Sequence, residues 1–589
     1  MYLRVTRQKR KDGSFLSHFQ IAHNSWDTVR QRSRVHILHN VGRTDDPSAA
    51  QALRRLARSI LQRCDPQQLA DRHPDCRLVH AWPFGDLFVL DALWQRLGLP
   101  QVLDRARADH PRLAFDVERA LFALVANHAC APASKRHCCL QWLAEDVRLP
   151  GLPRFSLQHL YRAMDFLEAH REAIEEEVFW RTAQLLELDT ELLFFDTTSL
   201  HCEIDEEDAQ EREAGPAAGR RSYPPLRRRG YSKNGRGDVP QLVIGLAVTR
   251  EGLPVRHWVW PGNTVDVQTV RQVKRDLQGW KLTRFVFVGD AGMVSQANLK
   301  ALAAAGGRYL AGQSLRQGGE ACEQALSQPG RYRQVGKNLK VKEVTVGEGE
   351  RRRRYAVCHN QQEAERQKRH RERVLEELRA ELASMEEARR KAEERARKKA
   401  LEERARKKKA ARKAGKPAGG GEHRKRECEL RASGRYGRYL KVERGGRLAI
   451  DRKKVRAAER RDGKFVVHGN DDSLSGEDMA LGYKQLQRVE QAWRSLKSGL
   501  GLRPLYHRVP HRIHAHVSIA VLALLLERVA ERACGRTWRA LRDRLKHIQL
   551  AELLVDGRTV WQVTEPGEEA CKFLKDLEIE APPPILRME

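Results

Sequence analysis

Apolar and polar positions alternate along the first ~45 residues, in "SFLSHFQIAHN" and "RVHILHNVG". A period of two predicts two or three strands of a small sheet with a basic surface. From Ser48 to Cys64, "SAAQALRRLARSILQRC" changes to helical spacing, and the stretch from Trp82 to Leu188 reads as mostly helical. An α/β alternation follows. "ELLFFD" predicts a strand, "QLVIGLAVT" and "PVRHWVWPGN" a hairpin turning at Arg250–Gly252, and "DVQTVRQVKRDLQGW" a helix. "RFVFVGDAGM" predicts another strand, "SQANLKALAAAG" a helix and "RYLAG" a short strand, so the sequence implies a mixed sheet with helices on it. Short strand-like runs then surround a charged helix from Glu363 to Lys413. Its Leu375, Leu378, Leu382 and Met385 have the three–four spacing of a short coiled-coil seam. Beyond the seam "EERARKK" occurs twice, at Glu393–Lys399 and Glu402–Lys408, and the stripe thins to alanines, as on a solvated charged hairpin. Strong helical patterning returns in "DMALGYKQLQRVEQAWRSLKSGLG" and "RIHAHVSIAVLALLLERVAERA", before a small α+β tail.

Charge narrows the class of partner. The 589 residues carry a formal charge of +31, which points to a polyanion, nucleic acid first and an anionic membrane surface second. Residues 361–420 hold 21 basic and 12 acidic side chains, so roughly +22 lies elsewhere and the charge is not the property of one segment. No run of about 18 apolar residues stands out, and "MYLRVTRQKRKDG" lacks the apolar centre of a secretory signal. Eleven scattered cysteines suit reduced thiols in a cytosol. "NHACAPASKRHCC" holds His128, Cys130, His137, Cys138 and Cys139 without a zinc-ligand spacing, so buried free cysteines on a helix are expected there.

Three carboxylates stand out as candidate chemistry. Asp196 and Asp290 are each expected to end an apolar strand. Glu490 lies on a helix with Tyr483 and Lys497 spaced by seven, nearly on one face. Mg²⁺ takes oxygen ligands, and two such ions can serve phosphodiester displacement, so two strand aspartates and a helix glutamate meet the need without His or Cys.

The blocks "FFDTTSL", "GYSKNGRGDVPQLVIGLAVTREGLPVRHWVWPGNTVDV", "FVGDAGMVSQANL" and "YKQLQRVEQAWRSLKSGLGLRPLYHRVPHRIHAHVSIAVLALLLE" resemble the bacterial insertion-sequence transposases of the IS4 superfamily, IS1634 type. The likeness covers roughly residues 190–310 and 480–530, with a looser likeness in the first 185. It implies a multidomain α/β protein with a ribonuclease-H-like core and a DDE triad of Asp196, Asp290 and Glu490. The triad would hold two Mg²⁺, with Mn²⁺ as substitute. Thr197 and Thr198 would orient the first aspartate. Tyr483, Trp493, Arg494, Lys497, Arg503 and His507 would contact DNA. Trp258, Trp260 and Trp493 are candidates to hold a flipped base, against core packing for each. Leu486 stands where the family's helix carries an arginine, which leaves Arg488 or Arg494 to supply that cation.

The implied division is 1–47, a small basic β-rich segment, then 48–188, a mainly helical DNA-binding or dimerisation region. The first part of the core follows at 189–312, and an inserted β-rich domain at 313–479 carries the hairpin of about 363–413. The core's closing helices take 480–535 and a C-terminal extension 536–589. Function follows as expectation. Metal-dependent cleavage at the element's ends would be followed by transfer of the 3′-hydroxyl into double-stranded target DNA. A homodimer would act, with no membrane, in the nucleoid of a bacterial cytoplasm. A structure-specific nuclease and an inactive DNA-binding derivative remain as alternatives.

Overall fold

A computed structural model describes residues 1–9, 15–28, 30–43, 46–61, 76–108, 113–215, 221–233, 235–280, 282, 285–293, 295–315, 319–347, 352–407, 421–443, 447–555 and 557–588. The ends of two expected helices, 62–64 and 408–413, lie outside the described residues. The chain divides into two units, one of residues 1–82, 549–565 and 582–589, the other of 83–548 and 566–581.

In the first unit the alternating N-terminal pattern gives β1 (Tyr2–Lys9), β2 (Phe15–Asp27) and β3 (Arg32–Arg43), an antiparallel sheet followed by the Pro47–Leu61 helix. A second sheet contains β4 (Cys76–Pro83) and the three strands of the C-terminal tail.

The second unit is built on one mixed sheet. Its strands are β5 (Leu192–His201), β8 (Gln241–Val248), β9 (Pro254–Pro261), β10 (Val286–Gly289), β11 (Arg308–Gln313), β12 (Arg333–Gly336), β13 (Leu339–Val346), β14 (Arg353–Asn360) and β17 (Lys464–Gly469), while β6 (Arg212–Glu213) and β7 (Ser222–Tyr223) form a small separate ladder. The spatial order is β12-β13-β14-β17-β11-β10-β5-β8-β9. Strands β5, β10 and β11 run parallel, and β8–β9 is the expected hairpin. On one face Leu193, Phe195, Trp258, Trp260, Phe287 and Tyr309 pack on apolar residues of the Arg171–Leu185, Asp266–Gly279 and Gln296–Ala303 helices. Burial of several large side chains at about 1.5–3 kcal/mol each is what holds this layer.

The expected inserted domain at 313–479 is joined to the core: its strands β12, β13, β14 and β17 belong to the central sheet, with β17 bonded to β11 on one side and β14 on the other. Period-two runs fix a strand but not its partner, so the sequence could not show this join. What stands apart is a small cluster in which the expected coiled-coil seam packs within the chain. Val374, Leu375 and Leu378 of the Gln361–Lys407 helix meet Leu430, Tyr439 and the β15 (Leu440–Val442) and β16 (Leu448–Ile450) ladder, with Leu382 and Met385 at the rim. The helices from Gly85 to Leu185 share a unit with the sheet, and the Val117–Cys130 and Leu157–Ala169 helices pack on the Pro510–Cys534 helix.

That last helix is 25 residues long and apolar enough by length and composition to cross a membrane, but 94% of its apolar window is buried inside the protein. It is a core helix. The tail then adds β18 (Gln549–Val555), β19 (Arg558–Val563) and β20 (Ile585–Met588) to the β4 sheet.

Stability outcomes follow. Residues 391–402 are exposed throughout, so replacing Leu401, the large apolar side chain among them, by Ser should leave calorimetric melting within about 2 °C. Leu378→Ala should cost about 2–5 kcal/mol. His468 on β17 is buried between Tyr309 and Tyr355 with neither ring nitrogen hydrogen-bonded, and burial lowers its pKa to about 4. The unfolded chain takes up this proton near pH 6.5 and the folded chain only near 4. Stability is therefore present above 6.5 and is lost as pH falls through that window, by up to about 3 kcal/mol. Urea unfolding of His468→Leu should show a shallower acid slope; an unchanged slope assigns the acid loss elsewhere.

Candidate active site

The site begins with a register. In the parallel pair β5–β10, Leu192, Leu193 and Phe194 oppose Val286, Phe287 and Val288, and there the pairing stops. Asp196 lies two residues past the last rung on β5, and Asp290 two residues past it on β10. Extending the register places the two aspartates side by side. Asp196 does not end its strand, as the apolar run suggested: β5 continues to His201, paired on its other side with β8. What ends at this level is the neighbouring strand, so the carboxylate sits where one side of the ladder opens.

Tyr483 closes the group from above. Its hydroxyl donates to Asp290 Oδ1 at 3.0 Å, its ring stacks on Phe465, and burial with Asp290, Glu490 and Asp196 nearby raises its pKa. The sequence offered Tyr483 as a DNA contact; in the structure it serves the carboxylates. Gly312 on β11 makes this possible, because a Cβ there would lie 2.2 Å from the Tyr483 hydroxyl and 2.7 Å from its ring. The helix that carries Tyr483 and Glu490 is also not continuous. It spans Gly476–Lys484, turns at 485–486, resumes as Gln487–Arg494 and widens to a π-helix at Ser495–Gly499. The spacing of seven therefore does not set one straight face. Val489, Ala492 and Trp493 are buried, while Glu490 is exposed at the edge of that face.

Cations surround Asp196. Burial pushes its carboxyl up to about 6, with Asp290 and Asp266 adding to the rise and Lys233 and the Thr197 N–H opposing it. Lys233 Nζ lies 3.0 Å from Asp266 Oδ2 and donates to both the carbonyl and hydroxyl of Thr197 at 2.8 Å. Thr197 in turn donates to Asp266 Oδ1 at 2.5 Å. Thr197 thus meets Asp196 through its N–H and Asp266 and the lysine through its hydroxyl, and Thr198 is buried in the ladder opposite Ile244. Lys497 is held below its ordinary pKa by burial and by Arg503 and Lys233, with Asp196 pulling the other way. Lys233 and Asp266 were not singled out from the sequence. The only signal was their position in a polar loop and at a helix start.

Other expected contacts lie elsewhere. His507 is half-buried and packs against Tyr161 and His516, and burial beside Lys135 and Arg512 lowers its pKa to about 3. Trp493 is 5% exposed, and Trp258 and Trp260 stack at 6.1 Å with their N–H groups donating to Asp276 and Gln272. All three are packing residues. Arg494 is exposed and lines a neighbouring cleft. Cys138 and Cys139 are free and buried on a π-helical turn, and Cys130 is free and half-buried. His128 bonds to Lys135 and the Leu500 carbonyl.

The donor set is hard oxygen with a half-buried, raised-pKa carboxyl at its centre, which fits Mg²⁺. As the side chains lie, no three His, Cys, Asp or Glu groups among the described residues close around a single ion. An open arrangement of this kind leaves positions for water and substrate phosphate, as Mg²⁺ sites do.

Comparison with known proteins adds the family. The family model described as "Transposase DDE domain" matches residues 191–526, more than half of the chain and inclusive of both aspartates and the glutamate. No curated protein matches. Among solved structures, a cryo-EM piggyBac transposase synaptic complex with hairpin DNA is 10% identical over 79% of each chain at a TM-score of 0.32, too distant a likeness to bear on the site. By the match over 191–526, this chain belongs to the DDE-domain transposases.

Proposed function

We propose that the chain is the transposase of a bacterial insertion sequence of the IS4 superfamily, IS1634 type, and that Asp196, Asp290 and Glu490 are its catalytic triad. The observation that carries this is the shared position of Asp196 and Asp290 two residues past the last β5–β10 rung, with Tyr483 joining Asp290 to the helical segment that bears Glu490. The family supplies the coarser statement, a DDE transposition enzyme acting on DNA.

The chemistry is two displacements at phosphorus. Water attacks the phosphodiester at an element's end, the P–O3′ bond breaks, and a 3′-hydroxyl is released. That hydroxyl then attacks a target phosphodiester, forming a new P–O3′ bond as the target's own breaks. Two Mg²⁺, or Mn²⁺ in their place, held by the three carboxylates would activate the attacking oxygen and stabilise the leaving one. The chain's own groups do the rest. Tyr483 holds Asp290 in a fixed rotamer. Lys497, near Asp196, and Arg503, near Lys497, bind phosphate of the end DNA. Lys233 limits the repulsion between Asp196 and its acidic neighbours. A homodimer across two ends, in the nucleoid of the bacterial cytoplasm, completes the proposal, with the region 48–188 and the strands and helices of 313–479 as its family-specific elaborations.

The test uses plasmid DNA carrying the sequence that flanks the gene. The wild-type chain should nick at the element's ends and join them to target only with Mg²⁺ or Mn²⁺. Asp290→Asn and Glu490→Gln should bind DNA with unchanged salt dependence and lose at least about a hundredfold in cleavage. Cleavage that persists in either variant overturns the triad. Nicking without joining favours a nuclease. Tyr483→Phe keeps the ring stacking and removes only the bond to Asp290, so cleavage should fall about five- to tenfold with DNA affinity intact; loss of affinity instead would return Tyr483 to the DNA surface.

A further inference from the structure

Strand transfer brings two polyanions to one set of carboxylates. Two duplexes repel each other, so each needs its own cationic surface. Lys233 and Lys497 beside Asp196, with Arg503 next to Lys497, supply one. The structure holds a second on the other flank of the glutamate's helix.

This second surface is an open cleft of about 980 Å³ in which Arg488, Arg494, Arg528, Arg536, Arg539 and Arg542 converge from the Gln487–Arg494, Pro510–Cys534 and Trp538–Leu545 helices and the turn between the last two. A smaller cavity beside it, against Gly252 of the β8–β9 turn, adds Arg532. The acidic residues lining the two are Glu527, Glu531 and Glu251. Arg528 is committed to Glu531 and Ser495, and Arg542 to the Cys130 carbonyl. Arg488, Arg494, Arg536 and Arg539 are exposed, and no ion pair engages them among the described residues. Arginines gathered in excess over carboxylates repel one another, an arrangement that an anion relieves.

Position decides which anion. At about 100° per residue, Arg488 sits roughly 160° around the helix axis from Glu490, and Arg494 only about 40° from it. The cleft therefore starts beside the triad glutamate and leads away from the side where Lys497 and Arg503 stand. It is open rather than enclosed, and its side chains are forked donors suited to a row of phosphates rather than to one small ligand.

We propose that this arginine cleft seats the backbone of a second duplex, the target DNA, while the end DNA occupies the Lys497–Arg503 side. The proposal rests on the transposase assignment above. The test compares two reactions of the full-length chain: cleavage of the flanking-sequence plasmid, and joining of a pre-nicked end to an unrelated target plasmid. The Arg536→Ala/Arg539→Ala variant should cleave within about twofold of wild type and join at least about tenfold more slowly. Binding of a fluorescent duplex of unrelated sequence to the end-saturated protein should lose about two from its log–log salt slope. Arg536→Lys/Arg539→Lys should restore most of the joining, and matched melting temperatures confirm that the alanine variant folds. Cleavage and joining that fall in parallel would place end or flanking DNA in the cleft, and joining that is unchanged would leave the cleft without a DNA role; either overturns the proposal. Glu490→Gln in the same assays reports separately on the triad, because its failure to stop cleavage sinks the transposase assignment whatever the arginines do.

Discussion

Everything at the site depends on where one parallel ladder stops. Two carboxylates cannot be held together cheaply in a partly buried place: at a few ångströms and an effective dielectric of about 20 their repulsion reaches about 4 kcal/mol. A rigid scaffold must impose the approach. The β5–β10 ladder does so, ending at Phe194 and Val288 and leaving both aspartates at the same level with strand backbone behind them. Burial raises the Asp196 pKa to about 6, and the nearby Asp290 carboxylate adds a smaller share. Lys233 and Lys497 oppose the rise without removing it, which is the electrostatic condition of a site made for a cation.

The third carboxylate arrives by a different route, and the sheet explains how. Tyr483 and Asp290 are 193 residues apart. Between them the chain extends the sheet outward through β12, β13 and β14, forms the small helical cluster, and returns as β17 into the gap between β14 and β11. The next helix, Gly476–Lys484, then lies over the strands beside β10, and Gly312 gives its tyrosine room to reach Asp290. The long excursion is therefore tied to the site by hydrogen-bonded strands, which is why so much sequence can intervene without loosening the group.

The parts legible in the sequence were those with local causes. Period-two runs and apolar bursts located β1 to β3, β5, β8 to β11 and the core helices, and the small residues after Asp290 marked the end of β10. What escaped had non-local causes. The partner of a strand is not written in its alternation, so β13, β14 and β17 read as a separate domain. The break at 485–486 has no glycine or proline to announce it. Asp196 sits mid-strand because its neighbour ends, a fact about β10 rather than about β5. The resemblance offered His507 as a DNA contact, and its packing against Tyr161 and His516 depends on residues far from it in the chain.

His507 leads to the last constraint, on the segment that carries Arg503. Lys135 is buried and held near a pKa of 8, with His128 Nε2 at 2.7 Å and His516 Nδ1 at 3.2 Å. Each histidine's other nitrogen meets a backbone carbonyl, His128 that of Leu500 and His516 that of Leu502. Those carbonyls fix both tautomers: each ring donates to the backbone and turns its lone pair to the lysine. Three side chains from two helices and the turn between Cys130 and Cys138 thus grip the residues just after Lys497 and just before Arg503. Neighbouring bonds repeat the pattern along the Pro510–Cys534 helix, from Arg512 to Asp165 and from Ser518 to His257, whose ring also bonds to Glu175. Buried polar groups of this kind are costly when any partner is missing, so they specify one arrangement. The apolar Pro510–Cys534 helix is held in this core by those partners, and its His516 fixes the backbone next to Arg503.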